Sequence, residues 1–288
     1  MANSEKVVLI GDPVAHSLSP VFQQAAFDYL DINVRYETWQ THAEELKQKI
    51  DLLRSSDYRG ANITIPHKLD AMNFVDHVDD IGEQVGAINT IISHDGVLTG
   101  TNTDVVGIHN SFKVANIDLK NKTVILFGAG GAARAVMVAM KNAGVKNITV
   151  INRTESKAKL FESYAGKNFN ISMLNNNSVT KDHGTLFTNA DIIINATSLG
   201  MEKSGNELVS PISQEFLNSS QVIFDLVYTP EETPLLKIGK SLGAQCIGGL
   251  AMLVFQGAAS FKLWTNKNPP IEIMFNAVKK ELDYQFYD

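Results

Sequence analysis

Between Thr123 and Ile151 the sequence runs through four segments. An apolar strand pattern, Thr123-Val124-Ile125-Leu126-Phe127, leads into the glycine turn Gly128-Ala129-Gly130-Gly131-Ala132-Ala133. A helix-favouring run to Ala143 and a second strand, Ile148 to Ile151, follow. No other stretch constrains the fold as strongly, because this order is that of a βαβ unit built to hold a dinucleotide. Each small residue has a spatial reason. Gly128 permits the tight turn, Gly130 lets the backbone approach a pyrophosphate, and Ala133 allows helix and strand to pack closely. The helix start then offers unpaired N–H groups and a partial positive charge to phosphates, with Ala129, Gly131 and Ala132 completing the cradle.

The rest of the chain alternates short β-branched runs with helical stretches, which predicts an α/β protein with a mostly parallel sheet. Val7 to Ile10, Tyr36 to Trp39 and Ala61 to Ile65 read as early strands, and Pro20 to Leu30 and Ala43 to Leu53 as helices. Strand-like runs on either side of His94-Asp95-Gly96 predict a hairpin, since Asp-Gly supports a tight turn. Asn168 to His183, with three consecutive asparagines, is the most loop-like stretch. At 288 residues the chain exceeds what one core usually organises, so two domains are expected.

Composition removes several classes of function. A net charge of −6 with no long Lys/Arg cluster argues against a nucleic-acid surface. No apolar run is long enough to span a bilayer and the first residues lack a signal-peptide core, so a cytoplasmic protein is expected. Cys246 is the sole cysteine, which excludes an internal disulfide and a multi-cysteine zinc site. No histidine pair has ligand spacing, so no metal is expected, and His16 reads as turn packing.

The residues closing the second strand bear on the cofactor. A site for NAD usually carries Asp or Glu there, whereas Asn152-Arg153-Thr154 and Lys157 offer an amide, a guanidinium, a hydroxyl and an ammonium suited to a 2′-phosphate. NADP is therefore expected, with NAD as the alternative. Glu155 is accounted for by the first turn of a helix capped by Thr154. Further on, Asp191 to Met201 and Val222 to Tyr228 each read as a strand followed by a loop at the ligand-facing sheet edge.

Two upstream segments, His16-Ser17-Leu18-Ser19-Pro20 and Asn62-Ile63-Thr64-Ile65-Pro66-His67-Lys68, precede Gly86-Ala87-Ile88-Asn89-Thr90 and Asn102-Thr103-Asp104. Together they supply hydroxyls, amides, one ammonium and one carboxylate, a set suited to a small polyhydroxylated acid. Taken with Asn152-Arg153-Thr154, Ala196-Thr197-Ser198-Leu199-Gly200-Met201 and Asp225-Leu226-Val227-Tyr228, they resemble the shikimate and quinate dehydrogenases from end to end.

The resemblance implies a substrate domain over residues 1–106, completed by 250–288, and an NADP-binding Rossmann domain over 107–249, with the cleft between them. It implies Lys68 and Asp104 as catalytic residues. Ser17 and Ser19 would hold the substrate carboxylate, with Thr64, Asn89, Asp104, Tyr228 and Gln256 around the ring. Thr197, Ser198, Met201, Val227, Gly249 and Met252 would join the cofactor contacts. The implied reaction is reversible NADPH-dependent reduction of 3-dehydroshikimate to shikimate in aromatic biosynthesis, by a monomer or homodimer acting on a free small molecule. The alternatives are a quinate/shikimate dehydrogenase using NAD or both cofactors, a folate-metabolising dehydrogenase of similar architecture, which would not need the two serines, and a non-catalytic sensor, which would not need Lys68 and Asp104. Val105 after Asp104, Thr101 before Asn102, and Gln23-Gln24 depart from the usual pattern.

Overall fold

The computed structural model describes residues 4–154, 170–175 and 184–285. The chain forms two compact units, one from Met1–Gly107 with Val254–Asp288 and one from Ile108–Leu253. It passes from one to the other inside two helices, Asp104–Val114 and Gly249–Thr265, rather than in loops.

The first unit contains strands β1 (Glu5–Gly11), β2 (Val34–Gln40), β3 (Tyr58–Ile63), β4 (His77–Val78), β5 (Thr90–His94) and β6 (Val97–Thr101) in the order β2-β1-β3-β5-β6-β4. Strand β1 lies parallel to both β2 and β3. Its Val8 and Ile10 join Leu46, Ile50, Ala61 and Ile63 in one core. The sheet turns antiparallel at β5. The hairpin β5–β6 closes through Asp95 at φ 50° and Gly96 at φ 79°, two left-handed residues whose backbone twist matches that of the strands they join.

Helix Ser19–Tyr29 starts with proline in its first turn, where a missing N–H costs nothing. It packs against helix Ile271–Gln285, and its Phe27 ring lies 4.9 Å from that of Phe261 on helix Gly249–Thr265. Gln23, one of the unusual pair, donates from Nε2 to the Gly257 carbonyl at 2.9 Å. Gln24 reaches the outer rim of β2, donating to the Val34 carbonyl and accepting from the Tyr36 N–H.

The second unit contains β7 (Thr123–Phe127), β8 (Asn147–Asn152), β9 (Asn170–Asn175), β10 (Ile192–Asn195), β11 (Val222–Asp225) and β12 (Gln245–Ile247). All pair in parallel, in the order β9-β8-β7-β10-β11-β12. This is the doubly wound order of dinucleotide-binding folds, with its switch point between β7 and β10. The expected loop over Asn168 to His183 is corrected in part: Asn170–Asn175 is strand β9, in register with β8. The flanking asparagines hid a short alternation that pairing with β8 fixes, since strand formation is governed by its neighbours more than by local composition.

Candidate active site

In the first unit, Lys68 follows β3 in a turn that brings its ammonium back to the start of helix Asp104–Val114. Its Nζ donates to Asp104 Oδ2 at 2.6 Å, and the two side chains retain 16% and 3% of their exposure. The other carboxylate oxygen accepts from Asn89 Nδ2 at 2.8 Å, and Asn89 Nδ2 also lies 3.2 Å from Gln256 Oε1. Four of the residues singled out in the sequence thus form one hydrogen-bonded cluster. Asn102 helps build it, its side chain donating to the Ala87 carbonyl and accepting from the Asp104 N–H, which orients the helix start.

Ser17 and Ser19 stand together at the start of helix Ser19–Tyr29, with the Ser19 N–H donating to Ser17 Oγ at 3.2 Å. Thr64 follows β3, half-buried, beside Gly11. His67 is 1% exposed, with Nε2 placed 2.7 Å from the Thr41 carbonyl, so its role is structural. His16 is exposed, which corrects the expectation that it packs in the turn; the apolar filling there comes from Val14 and Leu18.

In the second unit, the residues expected around the cofactor lie at the carboxyl ends of adjacent parallel strands. Gly128 has φ +110°, and a Cβ there would stand 2.9 Å from the Ala196 carbonyl oxygen, so the turn after β7 touches the loop after β10. Only glycine meets both demands. Gly130 caps helix Gly131–Asn142 with no side-chain hydrogen bond, no acidic residue stands in the first turn, and a Cβ at Gly130 would meet nothing within 4 Å. An anion can therefore approach the helix start directly, which fits a pyrophosphate. Ala129 is buried, while Gly131 and Ala132 are half-buried on the first turn. Arg153 and Thr154 are exposed beyond β8, and the Asn152 side chain donates to the Thr154 carbonyl at 2.9 Å. Lys157, the remaining residue expected at the 2′-phosphate, lies outside the described residues, as does Glu155.

A second polar network, which sequence reasoning missed, joins the loops after β10 and β11. Buried Asp225 accepts from Asn195 Nδ2 (2.9 Å) and the Val227 N–H (3.0 Å) on Oδ1, and from the Thr233 hydroxyl (2.6 Å) on Oδ2. Asn195 in turn donates to the Leu199 carbonyl and accepts from the Thr197 N–H and hydroxyl. Burial pushes the Asp225 carboxyl up to about 6, against the lowering effect of its three donors. The signal was present: Asn195 and Asp225 each end an otherwise apolar strand.

The loops so ordered carry Thr197, Ser198, Met201, Val227 and Tyr228. Burial raises the Tyr228 phenol above its ordinary value. Gly249 is packed against Leu226 with no room for a Cβ, its N–H donating to the Val227 carbonyl, and Met252 is buried one turn further along the same helix. Tyr228 therefore belongs to the second unit and not, as Lys68 and Asp104 do, to the first. Among the described residues no group of His, Cys, Asp or Glu could hold a metal, and no helix is long and apolar enough to cross a membrane.

Comparison with known proteins assigns three family models along the chain. Residues 9–91 match the shikimate dehydrogenase substrate binding domain, residues 110–231 shikimate/quinate 5-dehydrogenase, and residues 249–279 the shikimate 5′-dehydrogenase C-terminal domain. The shikimate dehydrogenase (NADP(+)) of Nitrosopumilus maritimus is 40% identical over 275 residues, covering 95% of this chain and 96% of that protein. A crystal structure of shikimate dehydrogenase in complex with NADP+ superposes with a TM-score of 0.88 at 37% identity, covering 98% and 97% of the two chains. A Listeria monocytogenes shikimate 5-dehydrogenase in complex with shikimate and NAD gives 0.87 at 30% identity, covering 98% and 97%.

Proposed function

The chain belongs to the shikimate dehydrogenase family, and on that premise we propose that it catalyses the reversible NADPH-dependent reduction of 3-dehydroshikimate to shikimate, a step of aromatic biosynthesis. The observation that carries the reading is the cluster in which the half-buried Lys68 and the buried Asp104, Asn89 and Gln256 are joined by hydrogen bonds. An ammonium held 2.6 Å from a carboxylate whose other oxygen is fixed separately is an arrangement suited to proton transfer. The expectation of a cytoplasmic enzyme, working as a monomer or homodimer on a free substrate, goes with this reading.

Bound NADPH supplies the hydride. The chain's own residues manage the proton and the substrate's orientation. In the direction of reduction the Lys68 ammonium donates a proton to the oxygen that becomes the alcohol, and in the reverse direction its amine takes that proton back. Its positive charge also stabilises negative charge developing on that oxygen. Asp104 holds Lys68 through Oδ2 and accepts from a substrate hydroxyl, while Asn89, Gln256 and Thr64 sort the remaining ring hydroxyls. Ser17 and Ser19 donate to the carboxylate, and Tyr228 is assigned to the substrate as well.

The uncapped helix start at Gly130 and the small residues Gly128 to Ala132 hold the pyrophosphate. Arg153 and Lys157 would meet the 2′-phosphate, with Asn152 and Thr154 as further cofactor contacts. Thr197, Ser198, Met201, Val227, Gly249 and Met252 line the nicotinamide end. The test is an absorbance assay at the nicotinamide band with shikimate and quinate, each against NADP and NAD. Turnover of shikimate with NADP at the highest kcat/KM supports the reading. A preference for quinate or NAD would move the protein to the quinate/shikimate branch, and no turnover in any arm would refute an enzymatic role on these substrates.

A further inference from the structure

Behind the cluster that holds Lys68 lies a run of polar side chains on strands whose neighbours are apolar. Tyr36 on β2 donates its O–H to Asn62 Oδ1 at 2.7 Å. Asn62 on β3 donates from Nδ2 to Thr90 Oγ1 at 3.2 Å and to the Asn89 carbonyl at 3.2 Å. Thr90, paired with Asn62 across β3 and β5, donates to Asn89 Oδ1 at 3.0 Å. Asn89 donates from Nδ2 to Asp104 Oδ1 at 2.8 Å. All five side chains are buried.

The direction of this chain follows from its last member. An ionised carboxylate only accepts, so Asn89 must turn its NH₂ to Asp104 and its carbonyl oxygen away. That oxygen meets three donors: the Thr90 hydroxyl, the Thr103 N–H at 2.8 Å and the Thr103 hydroxyl at 3.0 Å. Thr90 gives its hydrogen to Asn89 along this run and takes one from Asn62 Nδ2, and the Asn62 carbonyl oxygen accepts the Tyr36 O–H. Every hydrogen bond from Tyr36 to Asp104 therefore points the same way, the arrangement in which each bond polarises the next. Ser260 reinforces the middle, with Oγ 2.8 Å from Thr90, 3.0 Å from Thr103 and 3.2 Å from Asn62 Nδ2.

The geometry points to Tyr36, Asn62 and Thr90 as positioning residues for the proton-transfer pair, fixing through Asn89 the orientation of the Asp104 carboxylate that holds Lys68. This rests on the reading of Lys68 and Asp104 given above. Asn62 and Thr90 stand on the inner strands β3 and β5, where Val, Ile and Leu are the usual filling, and each polar group buried here needs its own partner. The buried run thus begins at the Tyr36 phenol and ends at the group that holds the proton donor.

Thr90→Val keeps the side-chain shape and removes the hydroxyl, and Thr90→Ser keeps the hydroxyl and removes a methyl. For Thr90→Val the expected result is a fall in kcat of about 5- to 30-fold, with the KM values for shikimate and NADP within about twofold of wild type. Thr90→Ser should recover most of the lost kcat, and a deuterium isotope effect from shikimate labelled at the reacting carbon should rise in Thr90→Val as chemistry becomes slower. Should Thr90→Val not fold, Tyr36→Phe removes the first donor without opening the core and should show the same pattern at smaller amplitude. Wild-type-like kcat in the folded variant, a loss confined to KM, or no recovery by serine would overturn the inference while leaving the reaction standing. Absence of turnover by the wild-type enzyme would instead overturn the reaction, and this inference with it.

Discussion

Asp225 provides a stability test that depends on one buried carboxyl. Its ordinary value of 3.8 is raised to about 6, chiefly by burial, while the Thr233 hydroxyl, the Val227 N–H and the Asn195 amide act in the opposite sense. A carboxyl raised in the folded state binds its proton more tightly there than in the unfolded chain. Its contribution is therefore fully present below pH 3.8 and is lost as pH rises through about 6. The difference of about 2 pH units corresponds to roughly 3 kcal/mol in total, of which about 2 kcal/mol falls between pH 4.5 and 7.5.

Asp225→Asn keeps an oxygen for the Val227 and Asn195 donors and places an NH₂ where the protonated acid would carry its hydrogen, with Thr233 Oγ turning to accept. The variant does not titrate at this position. Urea denaturation of both proteins in half-unit steps from pH 4.5 to 7.5 isolates the effect, because other titrating groups cancel in the difference. Wild type should lose about 2 kcal/mol relative to Asp225→Asn over that range. A flat difference, or one of opposite sign, would show that the carboxyl does not ionise within the folded state as described.

Arg153→Ala should weaken NADP binding by roughly 1–3 kcal/mol and leave NAD nearly unchanged, as titration calorimetry with each cofactor can read; equal losses would remove the case for a 2′-phosphate contact. Replacing Ser17 and Ser19 together with alanine should raise the KM for shikimate far more than that for NADP, and an unchanged KM would place the carboxylate elsewhere. Lys68→Met keeps the apolar stem and removes the ammonium. Folding and NADP binding should survive while kcat falls on the order of 10²–10⁴, and a kcat within a fewfold of wild type would sink the proton-transfer role. Asp104→Asn should also lower kcat, and the double variant should lose much less than the two single losses combined, since the residues act as a unit.

What could be read from the sequence divides along physical lines. The strand–turn–helix–strand unit at Thr123 to Ile151 was legible because glycine spacing and hydrophobic period are local; the observed β7 coincides with that reading, and β8 is one residue longer at each end. Strand β9 was not legible, because pairing with β8 rather than composition makes it a strand. The contact between Lys68 and Asp104 spans 36 positions, and no periodicity announces it. Their association came from motif resemblance, since as single residues each looks like a surface lysine and a helix cap. Tyr36, Asn62 and Thr90 were hidden for a related reason. Each is one polar residue on a different strand, and only the lateral register that sets Asn62 opposite Thr90 turns them into a sequence of bonds. Asp225 and Asn195 were visible as polar ends of apolar strands, but what they bond to depends on two loops folding toward each other.

The discontinuity of the first unit has a consequence for how the protein comes into being. Gln256 and Ser260 complete the cluster around Asp104, and the Trp264 indole donates to the Ile91 carbonyl of β5, yet all three stand on a helix that the chain reaches only after the whole of Ile108–Leu253. Helix Ser19–Tyr29 likewise meets helix Ile271–Gln285 only then. As a nascent polypeptide leaves the ribosome, the amino-terminal sheet must wait, with Phe22 and Phe27 uncovered and the Asn62–Thr90 pair lacking Ser260, while the dinucleotide-binding unit is made and can close on itself. The half of the molecule that starts first is the half that finishes last.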